Sequence, residues 1–199
     1  MKNDPSMLGV SEHERRERDF YPTPEDATKV IFDTAEELGI EPEHMTVWEP
    51  ACGDGAMSNV LATRFNNVIN SDIVPLMEGA TKANFYTEEP EEKFDWIITN
   101  PPYGDEADKF IERMIHFVRM KGCYASILAR NELDCAKGRS KFFGTNPLFR
   151  EKRILLWRPR WIADSTGSPR HNYAWYTWAP FDRNLAYKPL IRYSHRPPE

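Results

Sequence analysis

Met45-Thr46-Val47-Trp48-Glu49-Pro50-Ala51-Cys52-Gly53-Asp54-Gly55 decides the fold of this chain. Met45 to Trp48 reads as a short strand that runs straight into a glycine-containing turn, and Ala56 to Phe65 reads as the helix that follows. Strand, glycine turn and helix N-terminus together form a ligand-binding corner of the dinucleotide type. Glycines let a ligand approach the backbone, and the free N–H groups at the helix start face it. The turn lacks the Gly-x-Gly-x-x-Gly phosphate fingerprint and is led instead by Glu49. A carboxylate there suits a cationic ligand better than a pyrophosphate.

Val68 to Ile73 reads as the second strand, ending in Asp72, which lies 23 residues after Glu49. A carboxylate at the tip of the strand after a glycine corner is placed to accept both hydroxyls of a ribose. Ile73 either packs on an adenine ring or fills the sheet edge. Further on, Trp96, Ile97 and Ile98 have the character of a strand buried on both faces, and Asn100-Pro101-Pro102-Tyr103 stops it abruptly. Two successive prolines fix φ and push the residue before each towards extended geometry, so this loop is stiff before anything binds. It offers the Asn100 amide, carbonyls without N–H donors at Pro101 and Pro102, and the aromatic face of Tyr103. That set suits a planar substrate carrying an NH2 group: Asn100 and Pro101 accept its two hydrogens while Tyr103 stacks on the ring.

The whole chain bounds what surrounds these motifs. Its 199 residues fit one domain, and 40% apolar with 29% charged content is ordinary for a soluble globular protein. No apolar run is long enough to span a membrane, and the first residues lack the apolar core of a signal peptide, so a cytoplasmic location is expected. Cys52, Cys123 and Cys135 make neither a disulfide framework nor a zinc pattern, and no structural metal is expected. Residues 1–136 carry 13 Lys and Arg against 27 Asp and Glu, whereas residues 137–199 carry 13 against 4. The basic third is the candidate phosphate-contacting face, through Lys137, Arg139, Lys141, Arg158, Arg160, Arg170 and His171. The alternative is a basic surface that is merely solvated. Phe142, Phe143 and Phe149 lie among these cations as candidates for base stacking, while Trp175 and Trp178 fall within a strand and are expected in the core.

Residues 1–19 read as a polar tail, residues 20–180 as the domain, and residues 181–199 as an irregular edge segment and tail. Thr23 reads as the N-cap of a helix from Pro24 to Leu38. Ala107, Phe110, Ile111, Met114, Ile115 and Val118 mark one face of an amphipathic helix ended by Gly122, and Cys123 to Leu128 reads as the fifth strand. Ile154 to Trp157 and Tyr173 to Trp178 read as an antiparallel hairpin that closes the sheet.

Glu49 to Gly55, followed 51 residues later by Asn100-Pro101-Pro102-Tyr103, resembles the S-adenosylmethionine-dependent amino-methyltransferases, most of all the DNA adenine-N6 enzymes. The resemblance covers roughly residues 19–180 and is specific at these two motifs. It implies an α/β, Rossmann-like class I methyltransferase fold with a mostly parallel seven-stranded sheet and a terminal antiparallel hairpin. It implies S-adenosylmethionine as cofactor, with Glu49, Pro50, Ala51, Gly53 and Gly55 lining its methionine and ribose portion and Tyr21 and Thr23 at its methionine end. Asn84-Phe85 stands where the family has an acidic residue before Phe to bond the cofactor's adenine; an amide carbonyl still accepts that bond. Asn100, Pro101, Pro102 and Tyr103 become the catalytic set, Asn100 also touching the cofactor, and the target adenine is flipped out of DNA. RNA adenine or guanine, cytosine N4 and a protein glutamine are rival planar nitrogens, and an inactive cofactor- or DNA-binding relic is the non-enzymatic alternative. The compact chain is similar to phage and prophage enzymes of restriction-modification type. Its sequence specificity is expected from the loops at 134–150 and 158–172 or from a partner in a homodimer.

Overall fold

The computed structural model describes residues 22–102, 105–161, 168–181 and 188–198. The expected contacts at Tyr21 and Tyr103 therefore lie outside the described residues, as does the tail at 1–19.

The helix expected from Pro24 to Leu38 is divided into α1 (Glu25–Lys29) and α2 (Ile31–Glu37), with Val30 between them in right-handed helical geometry at φ −62° and ψ −21°. Thr23 does not cap it. Pro24 holds the N-cap position and makes no side-chain cap bond, while the Thr23 hydroxyl is engaged elsewhere, as described below. The other main elements are β1 (Thr46–Glu49), α3 (Ala56–Leu61), β2 (Asn67–Asp72), β3 (Thr81–Lys82), β4 (Trp96–Thr99), α4 (Asp105–Lys121), β5 (Tyr124–Arg130), β6 (Phe149–Leu155), β7 (Tyr173–Trp178) and β8 (Leu190–Ser194).

The strands form one sheet in the order β3-β2-β1-β4-β5-β7-β6-β8. Pairing is parallel from β3 through β5 and antiparallel on both sides of β7, so β6 and β7 form the expected antiparallel pair, but its first strand lies at Phe149–Leu155 instead of Ile154–Trp157, and the pair does not end the sheet. Eight strands stand where seven were expected. β8 lies in the stretch beyond Pro180 that reads as irregular, and it pairs in parallel with β6. An edge strand needs only its backbone for pairing, and Leu190, Ile191 and Tyr193 remain exposed, so apolar patterning gave no signal for it.

β1 pairs with β2 on one side and β4 on the other. The chain thus moves first one way along the sheet and then the other. This is the topological switch point at which open α/β sheets bind ligands, outside the carboxyl ends of the strands. Glu49 ends β1 and Asn100 follows β4, so the fold puts the two motifs side by side.

Core packs on both faces, and β4 shows why its sequence is apolar throughout. Ile97 faces α4 with Phe110, Ile111 and Met114, whereas Trp96 and Ile98 face α1, α2 and α3. Phe142, Phe143 and Phe149 belong to the α4 side of this core at 3%, 4% and 5% exposure. They are packing residues and not stacking platforms. Trp175 and Trp178 are fully buried, as expected. No helix among the described residues is long and apolar enough to cross a membrane.

A buried polar network fastens the last strands to α2. Arg153 Nε donates to Glu151 Oε1 at 2.7 Å, and the two side chains are 4% and 3% exposed. The Thr34 hydroxyl donates to the same carboxylate at 3.0 Å, and the Ser194 hydroxyl donates to Asp33 at 2.7 Å. Removing one partner of a buried pair leaves the other charge uncompensated, at a cost of about 3–5 kcal/mol. Glu151→Ala is therefore expected to lower unfolding free energy by about that much in denaturant titration. A loss below about 1 kcal/mol would show that water reaches Arg153.

Candidate active site

Glu49 reaches the carboxyl end of β1 with only 2% of its surface exposed. The Ser58 hydroxyl, on α3, donates to its carboxylate. Burial pushes the Glu49 carboxyl up to about 8, and the neighbouring charges of Asp72 and Asp54 add to the effect. A buried acid whose hydrogen bonds come from one residue, the Ser58 hydroxyl and backbone, is a costly arrangement. A cation placed beside it relieves that cost.

The glycine turn is locked from β2. Gly53 N–H donates to Asp72 Oδ2 at 2.9 Å and Val74 N–H donates to Asp72 Oδ1 at 2.8 Å. Asp72 thus spends one lone pair of each oxygen on the backbone, and its remaining acceptor capacity faces the cavity it lines. Gly55 holds φ at 85°, where L side chains are strained, and a Cβ there would stand 2.6 Å from Met77 Sδ. Met77 is brought in by its own N–H, which donates to Gly53 O at 2.9 Å. Glycine is favoured at 55 by the positive φ, and a Cβ there would in addition displace the flexible Met77 side chain.

A cavity of about 580 Å³ occupies the switch point, within the roughly 300–1,000 Å³ usual for small-molecule sites. Glu49, Pro50, Ala51 and Gly53 line one wall, Asp72 and Ile73 a second. Asn84 and Phe85 line a third, and Thr23, Asn100, Pro101 and Pro102 close it. Gly55 stands behind the wall and shapes it. Ile73 is 57% exposed, which leaves its apolar face open to a ring. Asn84 Oδ1 accepts the Tyr86 N–H at 3.0 Å, so its amide is turned into its own loop and offers a ligand only its second lone pair.

Asn100 is the distinctive group. Its Nδ2 donates to Thr23 Oγ1 at 3.1 Å, while its Oδ1 is buried and has no hydrogen-bond partner. Buried amide oxygens are nearly always satisfied. An unsatisfied one at the wall of a cavity marks the place of a missing donor.

Sequence reasoning missed Ser58, Tyr86 and Glu106. The Tyr86 hydroxyl donates to Glu106 on α4, and both residues line the cavity. Phe85 stacks on Phe110 at 4.5 Å, which fixes the same wall against α4. Phe85 was singled out in the sequence beside Asn84 and Phe110 as part of the apolar face of its helix, whereas Ser58, Tyr86 and Glu106 carried no signal.

The basic residues divide into two groups. Arg139 donates to Asp108 at 2.7 Å and Lys141 to Glu112, so both are held along α4, with exposed Lys137 two residues before Arg139. Arg158, Arg160, Arg170 and His171 lie between β6 and β7. The register pairs Arg130 at the end of β5 with Tyr173 at the start of β7, which puts this connection at the carboxyl edge, beside the Asn100 loop. Arg158 Nε is tied to Asn172 Oδ1 at 3.0 Å. Partial burial and the Arg130 charge push the His171 imidazole down, so it favours its neutral form.

No family model matches the chain. In an alignment of 134 positions that covers 61% of its length, it is 35% identical to a type II methyltransferase of Thermus thermophilus, and it spans 28% of that relative. Among solved structures it resembles a putative class I S-adenosylmethionine-dependent methyltransferase of Listeria monocytogenes, with a TM-score of 0.64 and 11% identity over 95% of this chain and 69% of that one. It also resembles a putative RNA methyltransferase of Pyrococcus horikoshii, with a TM-score of 0.65 and 14% identity over 88% and 95%. A modification subunit of a putative type I restriction enzyme of Vibrio vulnificus gives 0.51 and 13% over 81% and 45%. The fold is that of the class I S-adenosylmethionine-dependent methyltransferases. Over its matched residues the chain is a homologue of a type II methyltransferase.

Proposed function

We propose that this protein transfers the methyl group of S-adenosylmethionine to the N6 amino group of adenine in DNA. The observation that carries the reading is the unsatisfied Asn100 Oδ1 at the wall of a cavity that the buried Glu49 carboxyl, at the end of the neighbouring strand, also lines. Each fits one part of the reaction.

S-adenosylmethionine, when bound, supplies an electrophilic methyl group. Glu49 fits its ammonium and sulfonium charge, Asp72 its ribose hydroxyls and exposed Ile73 the flat of its adenine. Asn100 then acts on the substrate. An exocyclic amino nitrogen is a poor nucleophile because its lone pair is delocalised into the ring. Asn100 Oδ1 and the Pro101 carbonyl accept its two N–H hydrogens out of the ring plane, which localises that lone pair. Thr23 holds the Asn100 amide so that its oxygen points to the substrate, and the prolines remove backbone freedom from the loop. Orientation and fixed dipoles carry the rate, and no covalent nucleophile is needed. Tyr103 is assigned the stacking role on the extruded base. Likeness to a type II methyltransferase supports DNA over RNA or protein as the substrate.

The test is transfer of labelled methyl groups to unmethylated duplex DNA, single-stranded DNA and total RNA, followed by digestion to nucleosides and mass spectrometry. Label in N6-methyladenine from DNA is expected. Label in an RNA nucleoside or in N4-methylcytosine would replace the substrate, and no labelled nucleoside alongside measurable cofactor binding would overturn the reading.

A further inference from the structure

A second cavity opens one residue along the chain from the group that orients Asn100. Thr23 walls the first cavity, and Pro24 walls another of about 370 Å³. Across from Pro24, Arg160 arrives from the β6–β7 connection, and Arg196 with Pro197 and Pro198 arrives from beyond β8. β6 and β8 run parallel with Leu155 beside Ser194. Both segments therefore emerge at the same carboxyl edge as the Asn100 loop.

Three cations, Lys29, Arg160 and Arg196, meet two carboxylates, Glu25 and Asp26, in this cleft. The Lys29–Glu25 pair at 2.7 Å is exposed, with side chains 39% and 67% accessible, so it yields readily to a stronger anion. Asp26 is different. Its Oδ2 takes both Trp157 Nε1 at 3.0 Å and Arg196 Nε at 2.7 Å, while its Oδ1 is buried without any partner. Cations at the rim and an unsatisfied acceptor within describe two parts of one ligand. The rim suits a phosphodiester, and the acceptor suits an N–H donor on a ring attached to it.

We infer that this cleft seats the nucleotide next to the methylated one, its phosphate on Lys29 and Arg196 and the amino edge of its base on Asp26. The inference rests on the nucleic-acid reading of the neighbouring cavity and adds to it a source of sequence preference. Aspartate accepts from the exocyclic amino group that cytosine presents in the major groove. Thymine presents only acceptors and a methyl group there and is disfavoured. Pro24, Pro197 and Pro198 give the sugar and ring stiff apolar walls.

The experiment measures methyl transfer to duplex oligonucleotides that differ only at the base beside the target adenine, at several salt concentrations. Lys29→Gln/Arg196→Gln is expected to raise KM for DNA about tenfold, with kcat and cofactor affinity unchanged, since neither residue lines the first cavity. Each lost phosphate contact takes about 0.9 from the slope of log affinity against log salt. Arg196→Lys restores part of the slope, and Asp26→Asn relaxes discrimination against thymine. Unchanged cofactor affinity certifies that each variant is folded. KM and salt slope equal to those of the unmodified protein would overturn the inference while leaving DNA methylation standing. Absence of transfer to any nucleic acid by the unmodified protein would instead remove the reading of the first cavity, and this inference with it.

Discussion

Asn100→Ala is expected to lower the rate of methyl transfer about 100- to 1,000-fold, the range seen when one preorganised polar group is removed from a catalytic site, while leaving the ligand-free protein as stable as before or slightly more so. The two halves of this expectation have one cause. In the ligand-free protein Asn100 Oδ1 is buried without a partner, and such an atom costs about 1–3 kcal/mol of desolvation that nothing returns. Alanine removes the cost along with the chemistry. Only the Nδ2 bond to Thr23 is lost on the other side of the balance, at roughly 0.5–1.5 kcal/mol. Single-turnover transfer and thermal melting of the same variant check both halves. A melting temperature that falls by many degrees would mean that Asn100 is a structural amide, and the activity loss would then say nothing about its oxygen.

Glu49→Gln is expected to weaken S-adenosylmethionine binding about 100-fold or more, since it removes the buried partner of a positive ligand. It should also abolish the pH dependence of that binding. The carboxyl titrates at about 8 in the folded, ligand-free protein against 4.5 as its ordinary value. Its folded form therefore prefers the proton. The associated stability is fully present below pH 4.5 and is lost as pH rises through about 8, by an amount on the order of a few kcal/mol. A cationic ligand prefers the carboxylate, so its affinity rises with pH until about 8 and levels off above, and binding near pH 7 releases close to one proton. Calorimetry in two buffers of different ionisation enthalpy reads that proton directly. Glutamine in place of Glu49 should release none and should melt higher than the unmodified protein at pH 8. Equal proton release by the two proteins would place the titration on another group.

The glycine corner and the strand before Asn100 were legible in the sequence because their signals are local. Glu49 to Gly55 needs a tight turn with positive φ, and Trp96 to Asn100 needs an apolar strand that stops at a proline. What escaped was set by partners far along the chain. Thr23 has every local mark of an N-cap, yet its hydroxyl meets an amide 77 positions away, and tertiary geometry overrides local preference. Ser58 looks like any small residue of a helix, and only the turn before it brings it to Glu49. Arg139 and Lys141 read as free cations because the carboxylates that hold them, Asp108 and Glu112, lie four apart on a helix that is distant in sequence. The orphaned oxygens of Asn100 and Asp26, two of several among the described residues, are invisible to any pattern, since a missing partner exists only in three dimensions.

Both cavities hang from one edge of the sheet, and this has a consequence for how the protein can be altered. The opposite edge carries the exposed turn at Glu91–Lys93 ahead of β4 and the left-handed Gly122 between α4 and β5. Neither turn lines a cavity. Segments spliced into these turns project away from the chemistry, so the two sites behave as a cassette. New modules for targeting or attachment can be grafted behind it while the face that carries both cavities stays intact.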